Sequence, residues 1–536
     1  MKRFLPFLII FAFTLWYTYP LWGFSDQMFA IHPTGDNIRS MHFYDFMGTQ
    51  IQTQLLEDRD VKDFFQFDKP FSPKIRDYFP ALLEVYLMAP LVWIFDWPQH
   101  WSVILTTYIL IGAFGTMYLC RTLGGNNTSL VLCGILVVVL RPIWTDIANG
   151  RINAITIGFS FWALGLMLRY LQENNLGTKI ILYGLTLCFG YIALCVYPPY
   201  PLLLFPFGAI YCCTKFRREL GSKIIACLWV FVPLFLCTYG ELFQIHQSNT
   251  GILQCENSGC VSYRHVIRFQ DLFLTNTLSY IYGGMSVVLW LGIFVGFFRK
   301  YRYIWVFSFV LISYFLLSGG NCPTYDEISL TKHLSFLEPL WCISLNIHDF
   351  RRFATVASLM LIVLLGLFYS KLSEKTVMNR FLLVFWIWIP YQVYARQLEF
   401  LHPSYWHPLN TDDPVLDVIS DKGVVAIFPY DLHHQFVTVQ QKKDIRLLNP
   451  YESPIQKRNP FDNWLHEIGY GRLEPYSVNS EDMERSKVVQ IIFDRKRCDY
   501  AITEQSCNER FQEILRENLG PPSEYQGIWI WDLLKK

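Results

Sequence analysis

The sequence has 536 residues, of which 52% are hydrophobic and 17% aromatic, and its net charge is +1. Only 17% of the residues are charged, against roughly a quarter in soluble domains. The near-neutral balance excludes the basic footprint of a nucleic-acid-binding protein. Many aromatic residues fall at the ends of apolar runs, as in the aromatic belts of membrane proteins. The composition therefore indicates a polytopic membrane protein.

The chain begins with Lys2 and Arg3, followed by an apolar run that reaches Phe24. The bulky residues Trp16 and Tyr17 stand where a signal peptide would have small residues for cleavage, so we expect a retained first span. Apolar runs long enough to span a bilayer, or nearly so, occur at 4–22, 101–121, 128–146, 152–170, 179–197, 199–214, 223–241, 280–298, 303–318, 353–372 and 381–396.

A further apolar run at 80–97 is short and contains Glu84 and Pro90. If this run does not cross the membrane, the basic clusters that follow lie on the same side as the N-terminus. These clusters are at 121, 169–179, 215–223, 299–302 and 371–380. The positive-inside rule therefore favours a re-entrant or surface-lying helix at 80–97. It predicts about eleven spans, a cytoplasmic N-terminus and an extracytoplasmic C-terminus.

The first outer loop carries a polar stretch from His32 to Asp45. Asp36, Arg39 and His42 would share one face of a helix that begins at Asp36. The Asp36 carboxylate, with Asp45 as second choice, could act as a general base. The alternative is that Asp36 only caps a helix lying on the membrane.

Two later outer segments carry further polar candidates, a turn at 146–153 and a loop at 319–352. Their candidate residues are Asp146, Arg151, Asn153, His333, Arg351 and Arg352. Adjacent arginines at the membrane surface suit an anionic headgroup, and the alternative is ordinary interfacial anchoring. Carboxylate, histidine and arginine thus converge from three segments on one predicted face of the membrane.

Six of the fourteen cysteines fall in predicted outer segments as near neighbours. They are Cys255 with Cys260, Cys322 with Cys342, and Cys498 with Cys507. An even count, paired segment by segment, favours disulfides in an oxidising compartment. Free thiols, or a metal site at the first pair, are the alternatives.

Residues 397–536 contain more charged residues and no run that could span a membrane. Apolar, β-branched stretches predict strands at 424–429, 445–448, 499–503 and 527–532. Helical spacing predicts helices at 480–495 and 508–518, the second ending at Gly520. Strands that alternate with helices indicate a small α/β domain outside the membrane. We therefore expect an all-α membrane domain at 1–396 and an α/β domain at 397–536.

This layout resembles the GT-C superfamily of integral-membrane glycosyltransferases, in particular bacterial members with a small outer domain. Gly35 and Asp36 precede amphipathic segments at 40–56 and 80–97, as in the large first loop of that superfamily. Other similar features are the Arg121-Thr-Leu-Gly turn, Arg141-Pro with Gly150-Arg-Ile-Asn, the His348-Asp-Phe-Arg-Arg-Phe run and Phe428-Pro-Tyr.

The resemblance implies transfer of a sugar from a polyprenyl-phosphate donor to a glycan, lipid or protein acceptor on the outer face of a bacterial inner membrane. Asp36 would deprotonate or position the acceptor hydroxyl, and Arg351 and Arg352 would hold the leaving phosphate. Arg151 and Asn153 would line the site. No cofactor is implied, and a divalent metal stays open.

Two other functions are consistent with the same residues. A transporter or lipid flippase would have charges in mid-span and pseudo-symmetry, and Arg141 is the main such charge. A non-catalytic scaffold for cell-envelope assembly would keep the architecture without the chemistry.

Overall fold

The computed structural model describes residues 4–23, 27–29, 82–95, 99–140, 143–144, 147, 156–196, 204–205, 208, 211, 215, 217–249, 352–372, 390, 393–394, 397, 401–402, 406–408, 414–420, 423–429, 445–447, 460–469, 479–486, 488–495, 498 and 509–533. The chain divides into two compact units. Residues 1–23, 79–84 and 102–403 form the first unit, and residues 24–78, 85–101 and 404–536 form the second.

The described residues before 373 are mostly helical. Their longer helices are α1 (Leu5–Gly23), α2 (Leu82–Ile94), α3 (Gln99–Thr122), α4 (Asn127–Val138), α5 (Ile157–Gln172), α6 (Leu176–Val196), α7 (Leu220–Asn249) and α8 (Arg352–Leu372). Among the described helices, α1, α3 and α6 are long and apolar enough to cross a membrane, which supports the predicted membrane protein. The count of about eleven spans stays a prediction, since 280–298 and 303–318 lie outside the described residues.

Helix α2 falls on the run whose crossing was in question. It has 13 residues and contains Pro90. Whether this run crosses the membrane stays a prediction, since residues 80–81 and 96–98, on either side of it, lie outside the described part of the chain. The side chains of Leu87 and Ile94 are exposed, as expected of a helix with an apolar face toward lipid.

Helices α1 and α3 run antiparallel. The Ser102 hydroxyl, in the first turns of α3, donates a 2.6 Å hydrogen bond to the Leu21 carbonyl near the end of α1. The rings of Phe7 and Phe114 meet edge to face, with centroids 5.5 Å apart, at the other end of the pair. The two contacts fix the direction of α1 along most of the length of α3.

Helix α4 packs against both α1 and α3 through Gly134. A Cβ atom at this position would stand 2.5 Å from Cγ1 of Ile10 and 2.8 Å from the sulfur of Met117. Beyond the end of α4, the ring of Trp144 lies edge to face with Tyr17, at 5.6 Å. The order of these contacts makes α4 parallel to α1 and antiparallel to α3.

Helix α8 runs antiparallel to α4. The Asn126 N–H donates to the Ser370 hydroxyl over 3.1 Å, and the Cys133 thiol donates to the Ile362 carbonyl over 3.4 Å. Gly366 faces this seam, since a side chain there would overlap the sulfur of Cys133. Close approach at small residues is the usual way membrane helices associate.

Helix α5 lies alongside α3 at a contact made of glycines. A Cβ atom at Gly158 would stand 2.6 Å from both Cα and N of Gly112, and one at Gly115 would stand 2.7 Å from the Gly158 carbonyl oxygen. Further along, Gly165 meets Tyr118 and Leu119 in the same way. The two helices are therefore parallel and their backbones touch at the crossing point.

The outer helices of the bundle present apolar side chains to the surroundings. Exposed positions lie on α1, α6 and α7 and include Leu8, Trp16, Ile180, Ile181, Leu228, Trp229 and Leu236. The side chains of α3 and α5, in contrast, are mostly buried. An exposed apolar surface of this extent would be a liability in water, and it fits a bundle surrounded by lipid.

The second unit contains two sheets. Strand β1 (Gln27–Phe29) pairs antiparallel with β2 (Trp406–Pro408). This pairing connects the beginning of the first loop with the chain beyond α8. The larger sheet has the order β4-β3-β5-β7-β6. Its strands are β3 (Gly423–Phe428), β4 (Ile445–Leu447), β5 (Val488–Asp494), β6 (Ser523–Tyr525) and β7 (Ile528–Asp532). Strand β3 is parallel to β4 and β5, while β7 is antiparallel to β5 and β6.

The larger sheet confirms the predicted α/β character of the C-terminal region, and one predicted element is wrong. The sequence predicts a helix over 480–495, but the structure has a short helix, α11 (Ser480–Arg485), followed by strand β5. The apolar residues from Val488 to Phe493 favour a buried central strand over a helix. The strand predicted at 499–503 lies outside the described residues.

Helices cover the two faces of the larger sheet. Helices α10 (Pro460–Gly469) and α12 (Glu509–Leu519) bury a core that includes Phe428, Phe493 and Trp529. The short helix α9 (Val415–Val418) lies on the opposite face with Ile427 and Ile492. Helix α12 ends as predicted at Gly520, whose φ of 79° suits a glycine helix terminus.

A buried glutamine joins α9 to the sheet. Gln490 is 4% exposed, and its amide nitrogen donates to the Val418 carbonyl over 3.0 Å and to the Asp532 carboxylate over 2.9 Å. Its amide oxygen accepts from the Ser420 N–H over 2.8 Å. One side chain thus satisfies a carboxylate and two backbone groups at the sheet.

We expect Gln490→Leu to lower the free energy of unfolding of this unit by about 2 kcal/mol or more, because buried polar groups would lose their partners. Pulse proteolysis of residues 404–536 in urea, on the detergent-solubilised full chain, measures this change. Glu524→Leu, on the exposed edge strand β6, is the control and should alter the midpoint little. Equal midpoints for the two variants would contradict the prediction.

Candidate functional site

Most predicted site residues lie outside the described residues. These are Asp36, Arg39, His42, Asp45, Asp146, Arg151, Asn153, His333 and Arg351. Arg352 is the first residue of α8, and nothing beyond its backbone is described. The geometry that bears on the site is therefore that of the helix ends that lead into these segments.

Three helix ends and the chain that follows α4 lie at one end of the bundle, which we name the loop end. Helix α1 finishes there and α3 begins there, as the bond between Ser102 and Leu21 shows. The chain that follows α4 approaches this end at Trp144, which contacts Tyr17. Because α8 is antiparallel to α4, it begins at the loop end with Arg352. The three segments predicted to carry the site are continuous with these helix ends.

The stretch between α4 and α5 starts and finishes deep in the bundle. Val137, at the end of α4, lies 3.8 Å from the position a Cβ would take at Gly112, and Gly158, at the start of α5, touches Gly112 from another side. Gly112 stands about halfway along α3. The 12 residues of α4 extend over about 18 Å and do not span a ~30 Å hydrocarbon core.

This depth has a chemical consequence. Backbone that leaves a helix at membrane depth is tolerated only where it is buried in protein or lines a polar cavity. The chain between Val138 and Ile157 contains Arg141, Asp146 and Arg151. These three residues belong to the chain that connects the two deep helix ends. They therefore suit a binding site that extends below the lipid headgroups.

Hydroxyl groups within the described helices mostly bond to their own backbone. Thr14, Thr18, Thr106, Thr107, Thr116 and Thr186 each donate to the carbonyl four residues earlier. Such groups are satisfied and contribute no acid or base. These six threonines are therefore not candidates for an acid or a base.

One buried titratable residue was not selected from the sequence. His100, in the first turn of α3, is only 1% exposed. It stands directly before the apolar part of α3. Its burial could be found only from the structure.

Cationic residues gather at the opposite end of the bundle, which we name the cationic end. Arg121 ends α3, and Arg169 near the end of α5 forms a 3.1 Å ion pair with Glu173. The Lys223 ammonium donates a 2.6 Å hydrogen bond to the Leu171 carbonyl. Residues from three of the basic clusters predicted to be cytoplasmic therefore lie at one end of the bundle. Their location in the cytoplasm stays a prediction.

The carboxylate at the cationic end is held ionised. The pKa of Glu173 is lowered, first because the Asn175 N–H donates to the carboxylate. The Asn174 N–H and Arg169 lower the pKa further, against the opposing effect of desolvation. Glu173 is thus a structural anion of the turn between α5 and α6, remote from the loop end.

Cysteine chemistry differs between the two units. Cys120, Cys133, Cys188 and Cys227, all within predicted spans, are free thiols. Cys498, in the second unit, is disulfide-bonded. Its partner and the cysteines at 255, 260, 322, 342 and 507 lie outside the described residues, so the pairing of Cys498 with Cys507 stays a prediction.

Two comparisons with known proteins found no match. No protein-family model matches the chain. No curated protein is significantly similar to it. The resemblance to GT-C glycosyltransferases is therefore a prediction from the sequence.

Proposed function

We propose that the protein is an integral-membrane glycosyltransferase that moves a sugar from a polyprenyl-phosphate donor to an acceptor on the extracytoplasmic face. The observation that carries this proposal is that three parts of the chain meet at the loop end. These are the end of α1, the chain that follows α4 at Trp144, and the start of α8. Each leads directly into one of the segments predicted to carry carboxylates, histidines or arginines.

The chemistry requires one bond to form and one to break. The acceptor hydroxyl oxygen attacks the anomeric carbon of the sugar, and the bond between that carbon and the phosphate oxygen breaks. Polyprenyl phosphate leaves with the electron pair of that bond. The proton of the acceptor passes to Asp36, which acts as a general base. The leaving phosphate gains a second negative charge in this step, and because cationic side chains can stabilise that charge, no general acid is needed.

The start of α8 suits the phosphate. Arg352 is its first residue, and Arg351 precedes it. The first N–H groups of a helix have no partner within the helix, and the helix dipole favours an anion there. Two guanidinium groups at that position add charge-assisted hydrogen bonds to phosphate oxygens. The pair would stabilise the charge that develops on the leaving group.

The depth of the chain between α4 and α5 suits a lipid donor. A polyprenyl phosphate places its phosphate at the membrane surface and its chain in the hydrocarbon. Arg151 and Asn153 belong by sequence to a stretch whose two ends lie near Gly112, and they are proposed to bind the sugar of the donor. The proposal thus accounts for why this stretch is polar between two short apolar helices.

Metabolic labelling of lipid-linked sugars tests the proposal. Membranes with and without the protein are compared after radioactive sugar is supplied to the cells. A transferase leaves its donor unused when it is removed, so we expect a labelled polyprenyl-phosphate sugar to accumulate on the outer leaflet. Accumulation confined to the inner leaflet would indicate a flippase. An unchanged lipid profile would contradict the proposal and favour a scaffold.

A further inference from the structure

Two arginines of the α/β domain stack on one tryptophan. The guanidinium carbon of Arg516, on α12, lies 4.1 Å from the ring centroid of Trp529. That of Arg495, the residue after β5, lies 5.2 Å from the same centroid. Trp529 itself is 2% exposed and belongs to the core of the domain, so it holds both arginines in place.

The two cations have no acidic partner among the described residues. Two other exposed arginines among the described residues of this unit are paired, Arg485 with Glu481 and Arg510 with Glu513. Arg495 and Arg516 are both exposed and lie within about one Debye length of each other, ~10 Å at 0.1 M salt. Two like charges this close repel, and a bound anion would relieve the repulsion.

Arg495 also lies near a point of the sheet at which α/β proteins commonly bind ligands. Strand β3 is followed by β4 on one side and by β5 on the other, so the strand order reverses between β3 and β5. Ligands of open α/β sheets bind outside the carboxyl ends of strands at such a point. Phe428 and Phe493 pair near the carboxyl ends of β3 and β5, and Arg495 follows directly.

We propose that Arg495 and Arg516 form a binding site for a phosphate monoester or diester, with Trp529 as the platform that orients both guanidinium groups. Planar guanidinium groups suit phosphate because each can donate two parallel hydrogen bonds. The phosphate could belong to a lipid headgroup or to a soluble phosphoester. The site lies in the α/β domain and does not depend on the proposed glycosyl transfer.

Protection from an arginine reagent tests the site. The full chain in neutral phosphatidylcholine nanodiscs is treated with phenylglyoxal, and peptide mass spectrometry measures modification at each arginine. One arm adds inorganic phosphate against chloride of equal ionic strength. The other replaces part of the lipid with polyprenyl monophosphate. We expect modification of Arg495 and Arg516 to fall severalfold in at least one arm, with Arg485 unchanged.

The arms identify the source of the phosphate. Protection by inorganic phosphate assigns a soluble phosphoester, and protection by the lipid alone assigns a headgroup. Arg516→Gln should abolish protection of Arg495, because one guanidinium would no longer complete the site. No protection in either arm would overturn the proposal. Equal protection of Arg485, or unchanged protection of Arg495 in the variant, would also overturn it.

Discussion

Gly158→Ala is expected to destabilise the helix bundle by about 1–3 kcal/mol, the usual cost of overpacking a close contact. The added methyl carbon would stand 2.6 Å from both Cα and N of Gly112 and 2.8 Å from the carbonyl carbon of Ile111. All three atoms belong to the backbone of α3, which cannot move aside as a side chain can. The two helices would have to separate, and each would lose packing along its length.

The measurement is the thermal unfolding midpoint of the full chain in detergent, followed by loss of the monodisperse peak on size exclusion. Gly184→Ala on α6 is the matched control, since nothing lies within 4 Å of a Cβ there. That variant should be neutral or slightly more stable, because alanine favours a helix over glycine by roughly 0.5–1 kcal/mol. If both variants unfold at the same temperature, α3 and α5 do not meet at this glycine contact.

Asp36→Asn is expected to reduce sugar transfer by about 10²–10⁴-fold, the usual contribution of a general base. Asparagine keeps the size and hydrogen-bonding shape of the side chain but cannot take the acceptor proton. The initial rate of transfer from a labelled polyprenyl-phosphate sugar, in membranes that contain equal amounts of each variant, measures the effect. Donor binding should change much less than the rate, because Arg351 and Arg352 are proposed to hold the phosphate.

Glu173→Gln is the control for this variant. It removes one carboxylate from the cationic end, where Glu173 pairs with Arg169, and leaves the loop end untouched. We expect transfer at the normal rate. A normal transfer rate for Asp36→Asn would show that Asp36 is not the general base. Equal losses of transfer rate in both variants would point to a general effect of charge on folding.

The sequence predicts those helices that a long apolar run alone determines. Hydropathy gives α1, α3 and α6, because a span needs a long apolar segment and little else. It does not show the break within the run 128–146, where α4 ends at Val138 and Ile143 and Trp144 are helical again. Pro142 explains the early end, since proline lacks an N–H and disfavours helical backbone at the residue before it.

The contacts between helices could not be predicted. Nothing in the sequence distinguishes Gly112, Gly115 and Gly158 from other glycines. Their role in packing depends on where α3 and α5 cross. The helix predicted at 480–495 failed for a related reason. The Val488–Asp494 segment is a strand because β3 and β7 pair with its two edges, and such partners lie far away in the sequence. The buried His100 and the stacked arginines at Trp529 likewise depend on tertiary structure.

The pairing of β1 with β2 has a consequence for biosynthesis. Gln27 lies opposite Pro408, so the first of these strands leaves the ribosome long before its partner is made. Until then its backbone edge is open to other chains, a known route to aggregation. Contacts between such distant residues form late and slowly. The closing of this small ribbon would therefore mark the last stage of assembly, after the helices have inserted.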